Sequence, residues 1–359
     1  LFTENDTWGF RTRVITTPSP SWTLSTGMEA QFEATSSETF ETLPTGIPGA
    51  SLGLGFEDRD YFNLFAEAQW QVSERVLVTG GLNLNQTWFR STFNQRKPAH
   101  LSPVISGSYA VIPGKIAAFA SVSRGFVPIS LANSRNADGT INPDLKPETG
   151  WNTEAGMRWE HGSMKAELTV YRMLIDNLVV QRRIAPDLYV AANAGETLHQ
   201  GVEIAWEVPF SEHLAWSGAY TLTDHRFKEF VDGDDDFSGN DLTGSAPHTL
   251  HQALTVLLGT VQFRLDQHLI GRTPVTDDNL VWGETSHVID AALTIPLRFD
   301  KVSPSLSLRV ENVFDVHYAA MYQINAVGFG GSAPRYYYPG KPRAVYVGVR
   351  VDISGGAGR

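Results

Sequence analysis

The sequence predicts an all-β protein, an antiparallel transmembrane β-barrel. Three observations carry this: strands with one apolar and one charged face, connections that alternate short and long, and tryptophans near strand ends. The first is clearest near the end of the chain. Ser305-Leu-Ser-Leu-Arg-Val-Glu311 sets Leu306, Leu308 and Val310 against small or polar residues. Ala344 to Ile353 sets Val345, Val347, Val349, Val351 and Ile353 against Tyr346, Gly348, Arg350 and Asp352. A period of two means extended strands. Arg309, Glu311, Arg350 and Asp352 are charges that a packed sandwich core rejects unless paired. A barrel with lipid outside and water or a polar plug inside accepts both faces.

Composition fits without deciding. The 359 residues are 42% apolar, and no run reaches the ~18 apolar residues of a membrane helix. Alternation halves the hydrophobicity of a spanning strand, so that absence does not count against a barrel. The nine Trp suit interfacial girdles, although a large soluble β protein could also carry them. With no Cys, disulfide and thiol chemistry are excluded. A net charge of −11, with no basic run longer than Arg182-Arg183, argues against a nucleic-acid partner. The sequence starts at Leu1 without a basic and apolar leader, so we expect a piece of a longer exported protein.

Fifteen strands are expected, at about 8–16, 22–35, 60–72, 75–92, 100–112, 115–126, 150–161, 163–182, 188–208, 213–229, 247–259, 260–272, 285–299, 303–313 and 343–353. One parity is apolar throughout. Phe62, Leu64, Ala66, Ala68, Trp70 and Val72 oppose Asn63, Glu67, Gln69 and Gln71. Trp151, Thr153, Ala155, Met157 and Trp159 oppose Asn152, Glu154, Arg158 and Glu160. Leu214, Trp216, Gly218, Tyr220 and Leu222 oppose Ala215, Ser217, Ala219, Thr221 and Thr223, while Val261, Phe263, Leu265 and Leu269 oppose Gln262, Arg264, Asp266 and His268.

Short turns are expected at Pro18 to Ser21, Ser73-Glu74, Pro113-Gly114, His161-Gly162, Pro209 to Glu212, Gly259-Thr260 and Asp300-Lys301. Longer loops fall at about 36–59, 93–99, 127–149, 230–246, 273–284 and 314–342. Only the connection near Ala185-Pro186 breaks the rhythm. Short periplasmic turns and long outside loops are the pattern of an outer-membrane barrel; a propeller or sandwich has no reason for it. The rhythm places loop 314–342 outside the cell. Single-chain bacterial barrels have an even strand count, and large plugged transporters have about 22. The fifteen are therefore expected to belong to a 22-stranded barrel whose other seven strands and plug domain lie outside this chain. The chain as given would be an open sheet with two exposed edges. No internal domain boundary is visible over residues 1–359.

Arg124-Gly-Phe-Val-Pro128, Asn142-Pro-Asp-Leu-Lys-Pro-Glu-Thr149, Asn193-Ala-Gly-Glu196, Gly201-Val-Glu203, Pro247-His-Thr249, Asn312-Val-Phe-Asp315 with Tyr318, and Pro339-Gly-Lys-Pro-Arg343 occur in this order. Over roughly residues 120–353 the chain thereby resembles the C-terminal half of TonB-dependent outer-membrane receptors, of the siderophore-receptor type. Physically these are turn and bend residues: prolines fix extended or turn geometry, Gly195 and Gly201 permit bends, and Asn312 to Asp315 can end a strand.

The resemblance implies active uptake of a scarce nutrient across the bacterial outer membrane, most often a ferric siderophore or a ferric citrate-type chelate. It implies as partners outer-membrane lipid and lipopolysaccharide, the N-terminal plug of the same parent chain and the TonB system of the inner membrane. No cofactor is implied. The family's terminal aromatic is absent; Ile353 is followed by Ser-Gly-Gly-Ala-Gly-Arg359. The alternatives are a cobalamin or glycan receptor or, in another class, an outer-membrane barrel enzyme or a structural or adhesive barrel. An enzyme needs a nucleophile and base together at the outer rim, and no GxSxG, HExxH or P-loop is present.

Loop 314–342 is the best ligand candidate. Met321, Tyr322, Phe329, Arg335, Tyr336, Tyr337 and Tyr338 stand among Gly328, Gly330 and Gly331. Tyrosine offers rigid apolar area with a polar tip, and Arg pairs with carboxylate or catecholate oxygens. An aromatic girdle at the outer interface explains the tyrosine run equally well. Asn133 and Arg135, and Arg96 with Lys97, are further candidates for an anionic ligand. Asp232-Gly-Asp-Asp-Asp236 with Asp241 offers carboxylates for Ca²⁺, but Ser245 stands where an EF-hand needs its bidentate Glu, so a solvated loop is the better reading. His248 and His251 lie three apart in an extended chain, on opposite faces, so no metal site is expected there.

Overall fold

The computed structural model describes residues 2–44, 46–91, 95–96, 99–129, 142, 144–185, 188–193, 195–297, 302–328 and 331–353. It is built of β-strands. In chain order these are β1 (Phe2–Ser19), β2 (Trp22–Thr42), β3 (Pro48–Ser73), β4 (Val76–Ser91), β5 (Gln95–Arg96), β6 (Ala99–Ile112), β7 (Ile116–Val127) and β8 (Glu148–His161). Next come β9 (Met164–Asp176), β10 (Val179–Ala185), β11 (Leu188–Asn193), β12 (Glu196–Ser211), β13 (Leu214–Glu229), β14 (Val231–Asp232), β15 (Asp235–Asp236) and β16 (His248–Leu258). The last are β17 (Val261–Ile270), β18 (Thr273–Pro274), β19 (Trp282–Gly283), β20 (Ser286–Pro296), β21 (Val302–Glu311), β22 (Ala319–Tyr322), β23 (Tyr337–Pro339) and β24 (Ala344–Ile353).

Fifteen long strands form one path, β1-β2-β3-β4-β6-β7-β8-β9-β12-β13-β16-β17-β20-β21-β24, with β5 added beside β4. Each matches one of the fifteen strands expected from alternation. Ladders along this path, such as β1–β2, β16–β17 and β21–β24, are antiparallel, as sequential pairing with short turns dictates. Gly114, Gly162 and Gly259, at φ of 70°, 61° and 63°, supply the left-handed residue that three of the short turns need. Asp300-Lys301 lies outside the described residues.

Two expectations are corrected. Residues 36–59 are not a long loop: β2 and β3 continue as a ladder from Trp22↔Trp70 to Thr42↔Pro48. The break near Ala185 is not a membrane turn either. β9 stops at Asp176, where Asn177 adopts φ 60°, and β10 pairs β11 as a separate hairpin before β12 begins. Asn193 Nδ2 donates to Asn177 O at 2.7 Å and Asn177 N donates to Gly195 O at 2.9 Å, closing the base of that hairpin. With residues 177–195 as one long connection, the break near Ala185 fits the short–long rhythm, and the exception is instead the short link between β2 and β3.

The chain divides into two compact units. The first comprises residues 1–109, 119–153 and 173–196. Here burial is inverted relative to a soluble protein: Asn85 is 1% exposed and its neighbour Leu84 is 46% exposed. Asn63, Asn85 and Thr87 are buried on one face, while Leu64, Leu82 and Leu84 are exposed on the other. This is the face assignment expected from parity, apolar side chains toward lipid. A small apolar cluster of Ile129, Leu145 and Ala191 lies at the long connections. There Lys146 N donates to Asn193 Oδ1 at 2.8 Å, and Asn193 Nδ2 also donates to Lys146 O at 2.8 Å. Asn193 and the 142–149 segment therefore brace each other. Trp22 and Trp70 stack beside short turns, rings 5.4 Å apart.

The second unit comprises residues 110–118, 154–172 and 197–359. Its β13-β16-β17-β20 ladder aligns Trp216, Leu254, Leu265 and Ala291 on the apolar face. Asp266, Arg264, His251, His268 and Asp290 lie on the other. Leu308 opposes Val347 in the β21–β24 ladder, and Val347 is 72% exposed. Gly201 lies within β12, where a Cβ would strike Leu222 O and, 2.7 Å away, the Tyr171 hydroxyl, so glycine serves close approach.

Candidate functional site

The second unit's long connections converge on a cleft. Asn312 ends β21 at φ 50°, and its side chain accepts from Val316 N at 2.9 Å and donates to Val316 O at 2.9 Å and Lys341 O at 3.1 Å. Asp315, also left-handed at φ 54°, accepts from Arg343 N at 2.8 Å. The Asn-Val-Phe-Asp turn thus clips both ends of the connection together. Between them β22 pairs β23, with Tyr322 opposite Tyr337 and Met321 opposite Tyr338. Gln323 N donates to Tyr336 O at 2.7 Å.

This hairpin, residues 281–286 and residues 315–319 enclose a cleft of about 780 Å³. Its aromatic wall is Trp282, Tyr318, Tyr322, Tyr336 and Tyr337, with Glu284, Asp315 and His317 as polar groups. Two glycines make room. A Cβ on Gly283 would fall within the Tyr322 ring, and one on Gly340 within the Tyr318 ring. Tyr322 OH donates to Glu284 O at 3.2 Å, and burial, then the Glu284 charge, push its phenol pKa up. Trp282 Nε1 donates to Asn279 O at 2.7 Å, and Arg272 lies over its ring at 5.6 Å.

A polar brace ties neighbouring loops to this wall. Asp277 accepts from Thr243 Oγ1 and Asn325 Nδ2, both at 2.8 Å, and its backbone N donates to Asn325 Oδ1 at 3.0 Å. Asn240 Nδ2 donates to Asp277 O at 2.8 Å. Asn279 and Asp241 exchange two more bonds, at 2.7 and 3.0 Å. Burial holds the Asp277 carboxyl above the usual carboxylate range.

Of the residues singled out in the sequence, Tyr322, Tyr336 and Tyr337 come together in the cleft. Tyr338 and Arg335 are exposed on the same connection and are not among the residues lining it. Arg96 lies in β5, opposite Phe89, apart from this group in sequence and sheet order. Asn133, Arg135 and Phe329 lie outside the described residues. Trp282, one of the tryptophans expected near strand ends, lies in β19 four residues before β20 and lines the cleft. The acidic segment forms the β14–β15 hairpin, where Asp236 accepts from Ser238 N at 2.9 Å. His248 and His251 do fall on opposite faces, since His248 opposes Leu222 and His251 opposes Ala219. Alternation gave no sign of Trp282 or of the two glycines, because they meet the tyrosines only through tertiary packing.

A long-stranded antiparallel sheet with inverted burial and an aromatic cleft among its long connections defines an outer-membrane β-barrel domain. The chain belongs to the TonB dependent receptor-like, beta-barrel family, which matches residues 2–313. The ferrienterobactin receptor of Escherichia coli strain K12 is 26% identical over 210 residues, 52% of this chain and 28% of that receptor. The ferric yersiniabactin uptake receptor of Yersinia pestis superposes with a TM-score of 0.75 at 17% identity, over 98% of this chain and 54% of that one. The ferric citrate transporter FecA gives 0.77 at 15% identity, over 98% and 55%. The copper transporter OprC gives 0.77 at 15% identity, over 98% and 56%. At these identities the solved structures show likeness of fold. The chain spans about half the length of those structures and less of the curated relative.

Proposed function

We propose that this chain is the C-terminal barrel portion of an outer-membrane receptor that imports an iron chelate, of ferric siderophore or ferric citrate type, driven by the TonB system. Further strands of the same parent chain would close the barrel, and its plug would fill the lumen. The observation that carries the ligand reading is the cleft walled by Trp282, Tyr318, Tyr322, Tyr336 and Tyr337. A metal chelate presents flat, oxygen-rich faces, which aromatic rings stack against and phenol hydroxyls bond. Arg272 over the Trp282 ring, and exposed Arg335 next to Tyr336 in the chain, would supply charge-assisted bonds to an anionic complex.

The relatives support the reading: three carry ferric complexes in their names. A glycan is the second reading. Glu284 and Asp315 beside the aromatic wall suit sugar hydroxyls, which stack on Trp and Tyr in the same way. Binding of the full-length receptor to a ferric chelate, its iron-free form and an oligosaccharide, read by intrinsic fluorescence, separates the two. The iron-loaded chelate should bind best; saturation by the oligosaccharide alone would replace the iron reading with the glycan one.

A further inference from the structure

The polar face of the second unit carries another set of coordinating groups, separate from the aromatic cleft. His251 on β16 and His268 on β17 are directly opposed in the ladder, so both imidazoles project from one face. Their rings stack 4.5 Å apart at 16°. Chain spacing hides this pair, because seventeen residues and a turn separate its members; only the register brings them together. The His251 side chain is 54% exposed. Among the described residues neither imidazole is tied up in a hydrogen bond, unlike His225, whose two nitrogens contact Tyr171 and Ser245.

A carboxylate lies beside the pair. Asp266 Oδ1 lies 3.8 Å from His251 Nε2. Arg264 Nε donates to both oxygens of that carboxylate at 3.0 and 2.9 Å, which holds it in place and balances its charge. Asp290 stands opposite Asp266 on the next strand and has Arg309 at 3.7 Å, so two carboxylates are matched by two guanidiniums and the donors at this place are the imidazoles themselves. Among the described residues no cluster of three or more His, Asp or Glu is placed to hold a metal ion. The pair therefore offers two protein ligands and leaves the other positions to water.

We propose that His251 and His268, turned out of their stack so that their in-plane lone pairs converge, bind a borderline divalent transition cation through one ring nitrogen each. Imidazole donors and the stability order of divalent ions favour Cu²⁺ over Ni²⁺ and Zn²⁺. With two protein ligands the ion is labile, an exchangeable stop on the inward wall. This does not rest on the chelate reading, since the cleft residues take no part.

The test is Cu²⁺ titration of the full-length receptor in detergent, followed by electron paramagnetic resonance. One Cu²⁺ per chain coupled to two nitrogens is expected. His251→Gln and His268→Gln should each reduce the coupling to one nitrogen and weaken binding by at least about tenfold, the lower end of what even an outer-shell change costs. His248→Gln, on the opposite face, should leave both readouts unchanged. A two-nitrogen signal that survives His251→Gln or His268→Gln at unchanged affinity would mean adventitious copper only and overturn the proposal. Tyr336→Ala, which probes the cleft, should bind Cu²⁺ like wild type, so the two readings fail separately.

Discussion

Asp277 and Asn325 exchange two hydrogen bonds across 48 residues of chain, Asp277 N to Asn325 Oδ1 at 3.0 Å and Asn325 Nδ2 to Asp277 Oδ2 at 2.8 Å. Asn325 stands three residues after the cleft tyrosine Tyr322, and Asp277 five before the cleft tryptophan Trp282. The exchange therefore locks the two sides of the aromatic wall, and Thr243 extends the lock to a third loop. Asn325 sits at φ 51°, a conformation that Asn tolerates better than most residues.

Asp277→Ala leaves Asn325 Nδ2 and Thr243 Oγ1 without their acceptor, at a cost of about 1–3 kcal/mol in local stability. Amide exchange around residues 240–244 and 323–326 should accelerate to match, while the β16–β17 ladder keeps its protection.

The same carboxyl gives a pH dependence of defined sign. Its folded pKa is raised, chiefly by burial. Its contribution is therefore fully present below the unfolded value of about 3.9 and is lost as pH rises through the folded value. Loop protection, corrected for intrinsic exchange, should fall across that window in wild type and stay flat in Asp277→Asn.

Gly283→Ala and Gly340→Ala each place a methyl where a tyrosine ring lies. Overpacking of this kind costs about 1–3 kcal/mol, so each variant should displace its tyrosine and weaken ligand binding while barrel assembly by heat-modifiable migration is retained. Loss of assembly in both variants would make the glycines folding residues and remove this support for the cleft.

Arg at Leu308, Val347 or Leu265 should impair folding into lipid vesicles by about 2–4 kcal/mol if the site lies near the midplane. Ser307→Arg, on the polar face, should cost less. Gly348 is the poorer control, because a Cβ there comes within 2.7 Å of Ser307 Oγ. Equal costs on both faces would defeat the lipid-outward assignment.

The strands were legible because hydrocarbon on one side and water on the other impose period two. Where neither face is apolar the signal fades, as from Thr35 to Thr39, so alternation does not mark the ladder there. Past Asp176 the opposite holds: Leu178, Val179 and Val180 keep an extended, apolar look, and the turn at Asn177 was overrun. At the site, Tyr322 and Tyr336 to Tyr338 were visible as composition. Trp282, Gly283 and Asp277 were not, because what selects them is contact between two loops far apart in sequence. The histidine pair was hidden for the same reason, since register and not spacing unites it.

The most direct test of the account is ligand-quenched fluorescence of the full-length receptor with iron-loaded and iron-free forms of an anionic chelate. Wild type should bind the iron-loaded form more tightly. Arg335→Ala should lose about 1.5–3 kcal/mol, the usual size for a hydrogen bond to a charged group, and Tyr336→Ala should weaken binding as well. Arg158→Ala, which breaks an exposed pair with Glu167 away from the cleft lining, should be silent. Wild-type affinity in both Arg335→Ala and Tyr336→Ala, with unchanged growth on chelated iron, would contradict the account and leave the 312–343 connection as an aromatic girdle.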